Sequence, residues 1–244
     1  MKHPGFIFLL SFLVFSSCKD DGTGDDFVPD PTAPGIPLST FPTSDAVLQA
    51  TYVSSLVDSG AIGFITYFQG LAHARFRNSS GQLTSPKKVI AEGTTLSPKN
   101  GIYTNNPGQG QGLDFGSVTE WEVEGRGDVP SFTEGIQDMV PEIGDVNIRD
   151  SLNSSETLKL IIDLQNPFTR VDVPDSVNYV LVGKKTRLAL KQNQLDTATF
   201  EPPALQTLGT GKAYILVEAF RYQQMDYSGY RVTFVNKGVF TKEV

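Results

Sequence analysis

Side chains able to do acid–base or nucleophilic chemistry are few in this sequence. Histidine occurs only at His3 and His73, and cysteine only at Cys18. A hydrolytic triad would depend on His73, set in Leu71-Ala72-His73-Ala74-Arg75-Phe76, where alternation predicts a strand with the imidazole at an edge or half exposed. No serine sits in a Gly-x-Ser-x-Gly elbow, and Gly108-Gln109-Gly110-Gln111-Gly112 lacks the strand-to-helix setting and Lys-Ser/Thr ending of a phosphate loop. Glu120, Glu122 and Glu124 recur at every second residue, about 7 Å apart along a strand. Carboxylates so spaced point the same way, whereas glycoside hydrolysis needs two that flank a bond from different sides. They read as a solvated face. Histidine and cysteine are too scarce for a zinc centre. Asp20, Asp21, Asp25 and Asp26 offer oxygen donors, but their order does not follow a calcium-loop pattern. The expectation is therefore no catalytic residue, no metal and no cofactor.

Binding chemistry is better represented. Phe220 to Tyr230 places tyrosines, amides and a carboxylate around a hairpin connection, and Tyr222, Gln224, Asp226, Tyr227 and Tyr230 are the candidate ligand-binding residues. A tyrosine ring is flat and polar-tipped, so it can stack on a sugar or pack against a protein. The alternative is that Tyr222 and Tyr230 are ordinary paired strand residues. Arg126-Gly127-Asp128 matches an adhesion tripeptide, but one tripeptide in a turn-rich stretch is readily a coincidence.

The composition bounds what surrounds these residues. The 244-residue chain is 39% hydrophobic, enough for a packed core, and carries a net charge of −7 with no block of basic residues comparable to a nucleic-acid-binding surface. Nucleic acid is not an expected partner.

The N-terminus carries an address. Lys2, an apolar run from Phe6 to Phe15, and two serines ahead of Cys18 form the three-part pattern of a secretory signal. Its apolar run is too short to span a bilayer. Phe15-Ser16-Ser17-Cys18 resembles a bacterial lipobox, with Phe15 at a position where Leu is most frequent. The resemblance implies that residues 1–17 are removed and that Cys18 carries diacylglycerol and, on its new amine, a further acyl chain such as palmitate. Two or three chains hold a protein at a membrane, since each buried methylene contributes about 0.8 kcal/mol. Lys19-Asp20-Asp21 is similar to the surface-export signal of Bacteroidota-type lipoproteins. That similarity implies an outer-membrane lipoprotein facing the cell exterior, in a group of uncharacterised function.

From Gly22 to Ser44 the chain is rich in Pro, Thr, Gly and Asp and reads as a tether that completes segment 18–44. From Asp45 onward, short alternating runs separated by Gly, Pro, Asn and Asp predict strands and turns. They include Ile62 to Phe68, Thr119 to Glu124, Leu158 to Leu164, Val177 to Leu181, Leu188 to Leu190, Ala213 to Phe220, Tyr230 to Phe234 and Val239 to Val244. Residues 45–56 suit either a capped helix or a strand. The expected fold is all-β, an antiparallel immunoglobulin-like β-sandwich over 126–244 preceded by a smaller β unit over 45–125, the two sharing a sheet through the Trp121 strand. Two functions follow from this layout, both non-catalytic: capture of polysaccharide for an outer-membrane uptake system, and protein–protein scaffolding or adhesion at the surface. Scaffolding predicts an apolar patch or an unpaired edge strand, with Val239 to Val244 the candidate edge.

Overall fold

A computed structural model describes residues 41–58, 64–105, 112–148, 151–171, 173–192 and 197–244. The described residues are all-β apart from one turn of α-helix and the 3-10 turn that follows it at Gln206–Leu208. In order, the strands are β1 (Ala46–Asp58), β2 (Phe64–Arg77), β3 (Leu83–Thr84), β4 (Lys88–Ala91), β5 (Thr94–Thr95), β6 (Ser97–Lys99), β7 (Ile102–Thr104) and β8 (Thr119–Glu124). They continue with β9 (Phe132–Ile136), β10 (Val146–Asn147), β11 (Leu158–Ile162), β12 (Ser176–Val182), β13 (Arg187–Gln192), β14 (Ala198–Phe200), helix α1 (Pro202–Leu205), β15 (Tyr214–Tyr227) and β16 (Tyr230–Glu243).

A nine-stranded sheet runs β13-β12-β15-β16-β1-β2-β7-β6, with β3 also paired to β2. Smaller sheets, β5-β4-β8-β9 and β10-β11-β14, pack on one face of it. Strand alternation decides which residues meet there. Leu48, Tyr52, Ala74, Phe76, Val232 and Phe234 point from the large sheet onto Val89, Trp121, Val123 and Ile136 of the four-stranded sheet. Further along the same face, Tyr179, Leu181, Ile215, Val217 and Phe240 meet Leu160, Ile162, Phe200 and Leu205 of the three-stranded sheet and α1. The two cores therefore share β15 and β16 as a common wall.

Between the cores, residues 138–143 cross the large sheet. A Cβ on Gly238 would lie 2.3 Å from the Pro141 carbonyl oxygen, so only glycine allows this approach. Asn236 Nδ2 donates to the Asp138 carbonyl and Ser54 Oγ to that of Ile143. Arg221 pairs with Asp138 at 2.9 Å.

Several expectations are corrected by this topology. Of the two readings of residues 45–56 the strand holds, as Ala46–Asp58, because Leu48, Ala50 and Tyr52 fill one sheet face and Val47, Gln49, Thr51 and Val53 the other, which no single helical stripe could do. The segments 45–125 and 126–244 share two sheets rather than one: the four-stranded sheet through the Trp121 strand β8, which pairs with β9, and the large sheet through β1 and β16. Tyr230 to Phe234 and Val239 to Val244 belong to a single strand that runs through Gly238 as far as Glu243. It is no edge, since β15 flanks it on one side and β1 on the other. Glu120, Glu122 and Glu124 do project to solvent while Thr119, Trp121 and Val123 are buried.

Gly238→Ala tests the crossing segment. The methyl group must displace backbone, at a cost of about 1–3 kcal/mol, so the urea midpoint should fall while the slope of the transition is kept. An unchanged midpoint would show that residues 138–143 do not press on the sheet.

Candidate functional site

The hairpin joining β15 to β16 carries the candidate binding residues. Its two-residue turn has Ser228 at φ 57° and Gly229 at φ 90°, the primed geometry that matches strand twist, and Asp226 Oδ1 accepts the Gly229 N–H at 2.7 Å. The five candidates are brought onto this one hairpin, but alternation divides them between opposite faces. Tyr227 and Tyr230 face the four-stranded sheet. Tyr227 stacks on Phe132 with centroids 4.3 Å apart, and its hydroxyl donates to Glu134 Oε2 at 2.9 Å. Burial, followed by that hydrogen bond, raises its pKa. Tyr230 is buried, and its hydroxyl donates to the Arg77 carbonyl at 2.9 Å. On the opposite face Tyr222 lies parallel to Phe220 and edge-on to Phe41, with centroids 5.9 and 5.4 Å away. Gln224 Nε2 reaches Ser44 Oγ at 3.2 Å and Thr233 Oγ1 at 3.3 Å. These side chains form no shared concave platform, because neighbouring parts of the protein occupy their rings and polar tips.

The face of the large sheet turned away from the smaller sheets holds an enclosed ion pair. Glu218 of β15 pairs with Lys237 of β16 at 2.7 Å and accepts from Asn178 Nδ2 of β12 at 3.3 Å. The Lys237 ammonium also sits 5.5 Å from the Phe220 ring centroid. In the sequence, Glu218 is the one charge in an otherwise apolar run, and that interruption was the available signal of this pair. His73 is placed on the same face of β2. It is not at an edge: β1 and β7 flank it, only 8% of its surface is exposed, and its Nδ1 has no hydrogen-bond partner. Burial lowers its pKa to about 4, with contributions from the Arg75 and Lys237 charges. A hydrolytic histidine needs a carboxylate to orient it and stabilise its charged form, whereas the charges acting on His73 are both cationic.

Two open clefts lie elsewhere. One of about 280 Å³ is lined by Asn147, Asn153, Glu156, Thr157 and Lys159 together with Ile148 and Leu158. The other, about 460 Å³, lies beside Arg126, Gly127 and Asp128. Asp128 accepts from both the backbone N–H and the hydroxyl of Ser79, at 2.9 and 2.7 Å, so the tripeptide turn is braced with its carboxylate engaged. Among the described residues, no group of three or more His, Cys, Asp or Glu side chains is arranged to hold a metal. No described helix is long and apolar enough to cross a membrane. Cys18, Lys19, Asp20 and Asp21 lie outside the described residues.

No protein-family model matches the chain, and no curated protein matches it.

Tyr227→Ala should lower stability by about 2 kcal/mol through loss of the ring stack, and Tyr227→Phe by about 1 kcal/mol through loss of the hydrogen bond. Chemical denaturation reads both.

His73 sets an acid response. Because its folded pKa of about 4 lies below the ordinary 6.5, the unfolded chain binds the extra proton between these values. The His73 contribution is thus complete above about pH 6.5, falls as pH drops toward about 4, and is lost below, a change of up to about 3 kcal/mol. His73→Gln should flatten the stability profile in that window, as measured by denaturation across pH.

Proposed function

We propose that this chain is a lipid-anchored module on the outer face of a bacterial outer membrane that binds rather than transforms its target, acting as a protein–protein scaffold. The anchor rests on one observation: the sole cysteine, Cys18, follows an apolar run and two serines and precedes Lys19-Asp20-Asp21 and a Pro-rich stretch. Sheet pairing of the described part starts at Ala46, leaving residues 19–45 as the length of chain between the anchor and the first strand.

Scaffolding is favoured over glycan capture because the tyrosines expected to form a sugar platform are committed to internal contacts: Tyr227 to Phe132, Tyr230 to Arg77, and Tyr222 to Phe220. The loop between β11 and β12 instead leaves Leu164, Phe168 and Val173 exposed, a feature typical of contact surfaces. Glycan capture remains the second reading. Its support is the cleft of about 280 Å³, whose lining combines amides, a carboxylate and a lysine with two aliphatic side chains, the mixture a sugar ring needs.

Metabolic labelling with a radiolabelled fatty acid tests the anchor. The full chain should incorporate label, and Cys18→Ala should lose it. Replacing Lys19, Asp20 and Asp21 with alanine should preserve labelling while making the protein resistant to protease added to intact cells. Label retained by Cys18→Ala would overturn the reading.

A further inference from the structure

We propose that β13 is a docking edge for an extended acidic segment of a partner protein, which adds to the large sheet as a further antiparallel or parallel strand. This inference rests on the scaffold reading and names the chemistry of its partner.

The two ends of the nine-stranded sheet differ in kind. One ends in β6, three residues long and containing Pro98, which cannot donate to another strand. The other ends in β13, whose six residues all pair with β12 on one side and with no other strand among the described residues. The turn into β13 closes with the Gly183 N–H on the Thr186 carbonyl at 3.0 Å. Counting along the antiparallel ladder from that bond, Leu188, Leu190 and Gln192 exchange hydrogen bonds with β12, whereas the backbone groups of Arg187, Ala189 and Lys191 point outward. Those outward groups are what an added strand would pair with.

Charge supplies the second observation. From Ser176 to Leu195 the chain has Lys184, Lys185, Arg187 and Lys191 and no carboxylate, although the whole protein has a net charge of −7. Lys184, Lys185 and Arg187 are exposed at the turn and at the start of the edge. Glu243, at the same end of the sheet, is engaged by Lys212 at 2.9 Å and Tyr214 at 3.3 Å. Lysines on an edge ordinarily discourage edge-to-edge pairing, and here they would repel a second copy of β13 in particular. An acidic strand meets both the free backbone and the basic side chains. Leu188 and Leu190 pack toward the core, so the edge is held rigid from within.

The test uses the full chain in detergent and a fluorescent eight-residue peptide alternating glutamate with valine, followed by anisotropy. Saturable binding is expected, weakening as salt rises. It should fall at least tenfold in two variants: the double substitution Lys184→Glu and Lys185→Glu, and Ala189→Pro. Ala189→Pro removes an outward N–H without breaking a bond to β12, and circular dichroism should show the wild-type sheet signal. If that variant misfolds, the charge reversal still decides the matter. The proposal is overturned by any of four outcomes: no saturable binding, equal binding of a lysine–valine peptide, no effect of charge reversal, or binding indifferent to a correctly folded Ala189→Pro variant. Two further results would also overturn it. Binding of anionic vesicles that survives Ala189→Pro, without peptide binding, would assign the lysines to lipid. Concentration-dependent dimers abolished by Ala189→Pro would assign the edge to a second copy. Failure of this site alongside cell-surface crosslinking through Leu164, Phe168 or Val173 would leave the scaffold reading standing, and loss of both would remove that reading too.

Discussion

The pairing of β1 with β16 is the constraint on which the rest of the molecule depends. Ala46–Ser55 runs parallel to Val232–Thr241, joining the first described strand to the last in the middle of the large sheet. All other strand pairings among the named elements are antiparallel. Without this pairing, β2, β7 and β6 have no connection to β15, β12 and β13, and the wall shared by the two cores is divided. Contacts between opposite ends of a chain carry a large closure entropy, so a sheet that depends on them forms late in folding. Such a design favours cooperative behaviour: neither the four-stranded nor the three-stranded cover has a full surface to pack against until β16 is in place.

The same constraint governs the polar groups. Asn236, Gly238 and Ser54 lie where β16 and β1 pass beneath residues 138–143, and each accommodates that crossing by a hydrogen bond or by the absence of a side chain. On the opposite face, Glu218 and Lys237 come from the paired strands β15 and β16 and neutralise each other where an unpaired charge would be costly. His73, two strands away, has no such counter-charge and remains neutral over the ordinary pH range. Charge pairing and acid sensitivity thus follow from which strands the fold makes neighbours.

Alternation made the composition of the faces legible in the sequence. Thr119 to Glu124 shows it plainly, as do Val177, Tyr179 and Leu181, all buried as their spacing implies. Strand order was not legible, because period two assigns a residue to a face but says nothing about which strand lies alongside. For that reason the C-terminal strand was expected at an edge and is found in the interior of the sheet. The hairpin tyrosines illustrate the same limit. Their types suit a binding platform, but alternation and the positions of Phe132, Arg77 and Phe41 commit them to internal contacts. The basic run at Lys184–Lys191 stood in the sequence throughout, but it gained meaning only when β13 proved to end the sheet.

In the proposed reading the chain is a tethered sheet that works by contact through the edge at β13. The most direct test of that reading is a photo-crosslinking residue placed at Ala189 or, for comparison, at Ser228 in the hairpin turn, with crosslinking on intact cells and mapping of the joined peptides by mass spectrometry. The account predicts a discrete protein adduct from Ala189, joined through an acidic extended segment, and none from Ser228. Adducts from Ser228 alone, or none from Ala189 in cells where the protein is present at the surface, would contradict it.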